Sequence, residues 1–441
     1  MIVLRHGKIY DPASGVAGEE GDLWMEGACI CPAPAHPDNY TEIDARGWIV
    51  APSAIEPHAH VAGAPLMWAR RLLAEAFGPT VRLLPTPAEI GQAYLKLGFT
   101  TVFDAATSPL YAWQAHTDLE QMGPLGRGLF TLIGDQACVL EAVTRNDPAL
   151  LGDTLSWLLE VSGGYALKLV NPGIGSAWRS GNALNALDAP LGKGDLTQRR
   201  LLLALAAAAN GLHLPHPIHI HAGNLGIPNN WQNFCDTVQA LEGLPAHFCH
   251  IQYYSYGADE SGRPISAARQ VADYIAQTPG LTFDVGQVFF GPALVVTADL
   301  QVVRWLQQTG KSKWMCQLFE GEGGVGILPL SYQPNDPINA IQWATGLELL
   351  LRFPDPSRLF LTVDYPNGGS FLAYPRIISW LMEREARQRM LAEVHPAAGQ
   401  WSGLASLERE YRLDEIIAMS SSGPARALGL SERTLYRKIE K

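Results

Sequence analysis

The sequence predicts an α/β protein, in which a (β/α)8 barrel of the TIM type follows a small N-terminal β module. Two observations predict this fold. Short alternating segments punctuated by glycine and proline fill residues 1–50, and eight apolar strand candidates, several separated by helical stretches, follow them. Strands that alternate with helices pair in parallel, and eight of them most economically close into a barrel. We expect the β module at residues 1–50, the barrel at 51–425 and a basic helix at 426–441.

The β module is predicted from three short segments in which apolar and polar residues alternate. They lie at residues 2–5, 8–10 and 22–25, and the dipeptide Asp11-Pro12 marks a turn. From Trp48 onward the pattern changes to apolar runs separated by helical spacing, which places the start of the barrel near residue 51.

The barrel strands are predicted from short apolar runs, several of which end in a polar residue. They lie at residues 53–60, 100–105, 128–133, 165–170, 217–222, 247–252, 281–287 and 359–364. Helical spacing and composition are clearest at residues 197–210, 231–241, 265–277 and 340–351. The stretch 292–356 fits the alternation least, and we expect it to hold an extra strand near 313–317 and a glycine-rich insertion at 320–324.

The composition favours a soluble enzyme. A net charge of −11, from 32 basic and 43 acidic residues, argues against a general nucleic-acid partner. The six cysteines contain no CxxC pair, so neither a thiolate zinc site nor a disulfide scaffold is indicated. The chain opens with no secretory leader and has no apolar run of membrane-spanning length, so we expect no membrane partner and a cytoplasmic location.

A first sign of chemistry is the pair His58 and His60 at the end of the first barrel strand. Side chains on a strand alternate, so two residues separated by one point to the same side. Imidazole nitrogen suits zinc and related metals, although a short apolar strand also carries histidines by chance. The pair alone therefore leaves a metal site and an ordinary core position open.

Polar residues at the ends of other strands strengthen the metal interpretation. Lys168 lies in the fourth strand, His219 and His221 in the fifth, His250 in the sixth, and Asp364 ends the eighth. Singly, each has an ordinary explanation, such as a snorkelling lysine, a hydrogen-bonded core histidine or a helix-capping aspartate. Together they fall where a barrel places its active site, at the carboxyl ends of its strands.

This pattern resembles the amidohydrolase superfamily, in its lysine-bridged binuclear branch with dihydroorotase and hydantoinase. The resemblance implies two divalent metal ions, with Zn²⁺ expected, and a lysine carboxylated by CO₂. The implied ligands are His58, His60, carboxylated Lys168, His221, His250 and Asp364, and Asp364 is also the implied catalytic residue. Residues 221–224 look like the family's fifth-strand motif, which favours His221 over His219 as the ligand without excluding His219.

Longer motifs resemble one family more specifically. They cover residues 168–173, 219–226, 250–257, 284–288 and 364–375. They are similar to the formylmethanofuran hydrolase subunit of formylmethanofuran dehydrogenase and, more closely, to its bacterial counterpart in the formyltransferase/hydrolase complex of methylotrophs. Residues in or beside these motifs that are expected to contact the ligands or the substrate are His219, Asn171, Asn224, Gln287 and Asn367.

This resemblance implies hydrolysis of N-formylmethanofuran, or an analogue, to formate and the free amine. The implied partners are other subunits of the complex, including a formyltransferase subunit, in tetrahydromethanopterin-linked one-carbon metabolism. Metal ions can make water nucleophilic and polarise the formamide carbonyl. An apolar strand favours the neutral amine of Lys168, which can add CO₂. Asp364 is then placed to move a proton from water to the leaving amine.

The chain departs from the family at two places. Tyr365 stands where the family usually has histidine. The sequence also ends at Lys441, whereas family members continue into strands that complete the β module, so we expect those C-terminal strands to be missing and a sheet edge to be open to a partner. Residues 430–440 look like a Fis-type recognition helix, but an acidic chain favours a coincidental basic helix.

The sequence is also compatible with two other functions. One is a different cyclic-amide or N-acyl hydrolase on the same metal centre. The other is a truncated, non-catalytic assembly subunit that retains the ligands by descent.

Overall fold

A computed structural model describes residues 1–27, 29–35, 39–77, 84–179, 186–192, 194–297 and 325–430. Its strands are β1 Ile2–Asp11, β2 Val16–Glu26, β3 Cys29–Cys31, β4 Thr41–Asp44, β5 Ile49–Val50, β6 Ala54–Ala59, β7 Phe99–Thr107, β8 Gly126–Ile133, β9 Ala166–Val170, β10 Ile218–His221, β11 Ala246–Phe248, β12 Tyr256–Ala258, β13 Pro264–Ser266, β14 Leu281–Asp284, β15 Gly291–Thr297, β16 Val325–Tyr332 and β17 Leu359–Phe360.

The α-helices alternate with the strands of the barrel and continue after the last one. They are α1 Ala64–Phe77, α2 Pro87–Lys96, α3 Ala112–Glu120, α4 Ala137–Thr144, α5 Pro148–Ser162, α6 Ile174–Arg179, α7 Gln198–Gly211, α8 Asn230–Gln239, α9 Ala268–Ala276, α10 Pro337–Arg352, α11 Tyr374–Met382, α12 Arg384–Glu393, α13 Ala397–Gln400, α14 Leu413–Ile417 and α15 Gly423–Ala427. A π-helical turn, Ala418–Ser422, joins the last two.

The barrel prediction is confirmed. Within the described residues, eight strands pair in parallel in the order β17-β14-β11-β10-β9-β8-β7-β6, forming a curled sheet. At the carboxyl ends of its two edge strands, the backbone N–H of His60 donates to the carbonyl of Tyr365 at 2.6 Å. At the other end, the π-helical turn lies beside β6, where Ser421 Oγ donates to the Ser53 carbonyl at 2.8 Å. These contacts bring the two edges together.

The first fifty residues form a separate β-sheet, in which β3, β2, β1 and β4 are neighbours and β5 also pairs with β1. The prediction of two strands at residues 2–5 and 8–10 is wrong, because β1 runs through both. The alternation of apolar and polar residues is interrupted between Leu4 and Gly7, where β1 has a bulge in its pairing with β2. His6 takes a left-handed φ of 58° inside this bulge.

The helices predicted at residues 197–210, 231–241, 265–277 and 340–351 correspond to α7, α8, α9 and α10. Two of them begin at the residue that the sequence chemistry favours. Thr197 caps α7 by accepting from the N–H of Arg200, and Asp336 caps α10 by accepting from two backbone N–H groups.

Three strands end three or four residues earlier than predicted. The strand predicted at residues 281–287 stops at Asp284. The strand predicted at residues 247–252 stops at Phe248, and the one at 359–364 stops at Phe360. The chain then turns, and His250 and Asp364 take left-handed φ values of 38° and 48°. Such conformations cost about 1–3 kcal/mol for residues other than glycine and cluster at functional sites.

The chain after α14 closes the amino end of the barrel. Leu428 and Leu430 are buried in one cluster with Ile55, Phe103 and Phe130. The predicted extra strand at 313–317, the insertion at 320–324 and residues 431–441 of the predicted basic helix lie outside the described residues. None of the helices that the structure describes is long and apolar enough to cross a membrane.

Candidate metal centre

The side chains predicted as metal ligands all lie at the carboxyl ends of barrel strands. His58 is on β6, Lys168 on β9 and His221 on β10, while His60, His250 and Asp364 follow their strands by a few residues. All six are at least nine-tenths buried: His58, His60, Lys168, His221, His250 and Asp364. A buried polar group is costly unless it is paired, so this cluster requires mutual contacts or a bound ion.

Asp364 is the carboxylate nearest to the histidine pair. One of its oxygens lies 3.1 Å from Nε2 of His58 and 3.4 Å from Nε2 of His60. Asn367 Nδ2 donates to the same oxygen at 2.9 Å. Burial alone would raise the pKa of Asp364, but the charge of His250 and the contacts with His58 and His60 hold that pKa well below its usual value. The carboxylate is therefore ionised at neutral pH.

His58 connects this carboxylate to a deeper layer. Its Nδ1 lies 2.8 Å from Nε2 of His219 and 3.4 Å from a carboxylate oxygen of Asp284. Burial alone would lower the pKa of His58, but the carboxylate of Asp284 raises it well above its usual value. Although Nε2 is close to Asp364, the angles do not form a hydrogen bond, and this nitrogen lacks a hydrogen-bond partner among the described residues.

A lysine, a thiol and a histidine line the neighbouring part of the cluster. Lys168 Nζ donates to Cys249 Sγ at 2.9 Å, and that sulfur lies 3.2 Å from His250 Nε2. The thiol in turn donates to the Ile220 carbonyl at 3.1 Å. Nδ1 of His250 is buried and has no hydrogen-bond partner within the part of the chain that the structure describes.

The donor atoms fit a transition-metal ion. Three groups of side chains have ligand atoms that lie within 4.8 Å of one another: His58–His60–Asp364, His58–Cys249–His250 and His58–His219–Asp284. His58 Nε2 and His250 Nδ1 are buried and make no hydrogen bond within the described residues, so both positions are open to an ion. Imidazole nitrogen with carboxylate oxygen or thiolate sulfur is a donor set that zinc accepts.

Sequence reasoning missed Cys249, since it considered cysteines only as CxxC pairs. The signal available was its position next to His250 at the end of a barrel strand. Its sulfur is fully buried and is the acceptor for Lys168.

Asp284 was also missed as a site residue, although its motif was noted. Its carboxylate accepts from Nε2 of His247 at 3.0 Å, from the N–H of His250 at 2.8 Å and from Thr362 Oγ1 at 2.7 Å. Burial alone would raise the pKa of Asp284, but the neighbouring His58 and His247 lower it below its usual value. It ends the seventh barrel strand, the same position from which Asp364 was recognised on the eighth.

The two histidines of β10 occupy different surroundings. Both ring nitrogens of His219 have partners, because Nε2 contacts His58 and Nδ1 lies 3.1 Å from Nε2 of His216. The ring of His221 instead lies 4.6 Å from the ring of His250, in an edge-to-face arrangement. His219 belongs to one of the three groups that could hold a metal, and His221 belongs to none of them. His221 as the ligand stays a prediction of the sequence motif.

The remaining predicted contact residues lie around these groups. Asn367 contacts Asp364 directly, and its own Oδ1 accepts from the Val296 N–H at 2.9 Å. Asn171 Oδ1 accepts from Gln198 Nε2 at 2.5 Å. Gln287 donates to two backbone carbonyls, and Asn224 takes a left-handed φ of 61° just after β10.

A parallel eight-stranded barrel with histidines, carboxylates and a lysine buried at the carboxyl ends of its strands places the chain among barrel proteins with a candidate active site at that end. A sequence model of the amidohydrolase family matches residues 117–437. The chain belongs to the amidohydrolase family and, within it, to the family of protein FwdA and of FhcA from the formyltransferase/hydrolase complex.

Two relatives and one solved structure support this assignment over almost the whole chain. Protein FwdA of Methanocaldococcus jannaschii is 34% identical over 456 residues, covering 98% of this chain and 79% of its own. FhcA, from the formyltransferase/hydrolase complex Fhc of Methylorubrum extorquens, is 34% identical over 460 residues. The match covers 99% of this chain and 82% of FhcA. A chain in the crystal structure of the complex FhcABCD from M. extorquens with methylofuran matches with a TM-score of 0.92 and 32% identity. The match covers 98% of this chain and 81% of the matched chain.

Proposed function

We propose that this chain hydrolyses the N-formyl amide of a methanofuran-type amine, releasing formate and the free amine, as the hydrolytic subunit of a formyltransferase/hydrolase complex. The observation that carries the proposal is the buried convergence of His58, His60 and Asp364 beside Lys168 and His250. The similarity to a component of a complex solved with methylofuran supports the substrate class.

The proposed centre holds two divalent metal ions, with Zn²⁺ as the expected ion. The residues that would hold them are His58, His60, carboxylated Lys168, His221, His250 and Asp364. When bound, such ions polarise a carbonyl and lower the pKa of water. The unpartnered buried nitrogens of His58 and His250 are the structural observation that supports this set.

Asp364 is the proposed proton carrier. Hydrolysis adds water to the formyl carbon and breaks the carbon–nitrogen bond, so one proton must leave the water and one must reach the amine nitrogen. The low pKa of Asp364 keeps it able to accept the first proton. Asn367 holds one carboxylate oxygen, which fixes the orientation of the group.

Lys168 is proposed to carry CO₂ as a carbamate. The amine nitrogen attacks CO₂ and loses one proton, which gives a carboxylate on the end of the lysine side chain. The side chain is 1% exposed and lies between Leu167 and Leu169 in β9. Its hydrogen bond to Cys249 is then exchanged for contacts made by the new carboxylate.

The proposed partners are the other subunits of such a complex, among them a formyltransferase subunit that supplies the formyl group from formyl-tetrahydromethanopterin. A cytoplasmic location is part of the same proposal. Neither a nucleic acid nor a membrane is a proposed partner.

The test is formate release by the purified full chain, supplied with Zn²⁺ and bicarbonate. N-formylmethanofuran should be hydrolysed, and a hydantoin and dihydroorotate should not. Turnover of the cyclic amides without formate release would replace the proposal with a cyclic-amide hydrolase. A chain that binds no metal and turns over none of the three substrates would support the non-catalytic assembly subunit instead.

A further inference from the structure

A two-stranded sheet outside the barrel holds the residues that follow Asp364. This sheet consists of β15 and β16, which pair antiparallel. The backbone N–H of Leu294 donates to the Pro366 carbonyl at 2.9 Å. The N–H of Val296 donates to Asn367 Oδ1, also at 2.9 Å. The sheet therefore contacts the chain at two successive residues just beyond Asp364.

The N–H of Val296 determines which way the side-chain amide of Asn367 faces. A backbone N–H only donates, so the atom that faces it must be the amide oxygen and not the amide nitrogen. The nitrogen Nδ2 is thereby turned towards Asp364, whose Oδ1 accepts from it at 2.9 Å. Asn367 is 7% exposed, so little of this amide is open to solvent. The orientation follows from a backbone donor and does not depend on the protonation state of any side chain.

Two tyrosine hydroxyls support the backbone of Asn367. Tyr332, the last residue of β16, donates its hydroxyl proton to the Asn367 carbonyl at 3.0 Å. The Tyr332 oxygen lies 3.1 Å from the hydroxyl oxygen of Tyr253, in the turn Ile251–Tyr254 after β11. Because the carbonyl already takes the Tyr332 proton, Tyr253 is the donor in the second bond. The hydroxyls therefore form a chain with one direction, from Tyr253 through Tyr332 to Asn367.

Burial makes the bond from Tyr332 important. Tyr253 and Tyr332 are 5% and 6% exposed and pack with Val288 in one cluster. A buried carbonyl that loses its only donor costs more than the hydrogen bond contributes, because water cannot take the place of the donor. Loss of the Tyr332 hydroxyl should therefore displace the backbone of Asn367.

We propose that Tyr332 is a positioning residue for the reaction. With the N–H of Val296 it fixes Asn367, and Asn367 in turn holds the Asp364 carboxylate; Tyr253 supports it from behind. The inference rests on the proposed function, in which Asp364 carries the proton, and it adds the element that sets this carboxylate in place. Removing the hydrogen-bond partners that orient a metal-binding side chain typically changes activity or metal affinity 10–100-fold.

The first test compares three tyrosine-to-phenylalanine variants of the full chain, at saturating Zn²⁺ and with kcat normalised to bound metal. Tyr332→Phe removes the donor to Asn367 and should lower kcat about tenfold with little change in KM. Tyr253→Phe keeps that donor and should lower kcat by less. Tyr256→Phe is the matched control, because the Tyr256 hydroxyl is also buried but makes no hydrogen bond within the described residues.

The order of these effects separates positioning from a general loss of packing. A structural role alone would lower the free energy of unfolding without changing the kcat of the folded, metal-loaded chain. A kcat for Tyr332→Phe equal to that of Tyr256→Phe would overturn the proposal.

The second test needs no turnover. The full chain is prepared metal-free with ¹⁵N-labelled asparagine, and exchange of the Asn367 side-chain amide protons with water is followed by NMR. Asn367→Ser identifies their signals by their disappearance. We expect slow exchange in wild type, at least tenfold faster exchange in Tyr332→Phe, and the wild-type rate in Tyr256→Phe. Exchange in wild type as fast as that of exposed asparagines would overturn the proposal.

The two tests separate this inference from the proposed function. An active wild type with unchanged kcat and unchanged exchange in Tyr332→Phe overturns the positioning role while the hydrolase proposal stands. A wild type that releases no formate contradicts the hydrolase proposal, and the exchange rates still decide whether Tyr332 holds Asn367. Should Tyr332→Phe fail to fold, slow exchange in wild type and faster exchange in Tyr253→Phe support the inference, and equal rates overturn it.

Discussion

Asp364→Asn is the substitution that best distinguishes a role of Asp364 in proton transfer from a role in holding the site together. Asparagine has nearly the volume of aspartate and is among the residues that tolerate the left-handed φ of 48° found here. Its amide oxygen can still accept from Asn367 Nδ2, the partner now at 2.9 Å. What disappears is the negative charge that lies 3.1 and 3.4 Å from the histidine pair.

The expected loss follows from the role of that charge. Positioned acid–base groups contribute about 10²–10⁴-fold in rate, which is about 3–5 kcal/mol of barrier at 1.36 kcal/mol per tenfold. An amide has no proton-accepting capacity near neutral pH, so kcat should fall by at least this range. Because the group acts in the transition state, kcat and kcat/KM should fall together while KM changes little. Some metal should remain, because the other ligands are intact.

The assay is initial-rate formate release, normalised to the metal content of each preparation. Asp147→Asn is the matched control, since it makes the same chemical change at the exposed N-cap of α5, where asparagine caps as well as aspartate. Thermal unfolding checks that both variants fold. A metal-normalised kcat for Asp364→Asn within about threefold of wild type would remove Asp364 from the proposed proton transfer.

Other parts of the structure can be tested by substitution at three more positions. Lys168→Ala should lose its bound metal and, with it, about 10³-fold or more in turnover. The control Lys96→Ala should keep the metal content and turnover of wild type. A Lys168→Ala variant that is fully metallated and active would exclude the carbamate. Gly429→Ala should lower the free energy of unfolding in urea by about 2–5 kcal/mol, since φ is 62° and the new β-carbon meets Pro215. Gly27→Ala, at φ 58° in open space, should cost only about 1–2 kcal/mol, and equal losses would contradict the close contact. His216, with a pKa of about 3 against 6.5 for the free group, stays neutral in the folded chain while the unfolded chain gains a proton. It therefore lowers the stability of the metal-free chain as the pH falls from about 6.5 to 3, by up to about 5 kcal/mol. His216→Gln should show a correspondingly shallower acid dependence of urea stability, and an unchanged one would contradict the burial of a neutral ring.

The order of elements in the barrel could be predicted because alternation and helical spacing are local properties of the sequence. Strand ends were less predictable. His250 and Asp364 lie beyond the ends of their strands, in left-handed backbone conformations that tertiary packing imposes and that their residue types do not predict. The same holds for His6, where a bulge joins two predicted strands into one.

The candidate site was predictable where its residues occupy repeated positions at the ends of strands. The contacts of Cys249, Asp284 and His216 could not be predicted, since they join segments that are far apart in the sequence. Lys168 meets Cys249 across 81 residues, and His216 meets Ala427 across 211. The choice of His221 over His219 as the ligand on β10 stays a prediction of the sequence motif.

The proposed function depends above all on whether the buried cluster at the mouth of the barrel is a two-metal hydrolytic centre. The decisive experiment is the metal content of the purified full chain by mass spectrometry, after equilibration with Zn²⁺ and bicarbonate and removal of loosely bound ions. We expect two equivalents of zinc per chain, and loss of both in Lys168→Ala. A wild-type chain that retains no metal would contradict the two-metal centre.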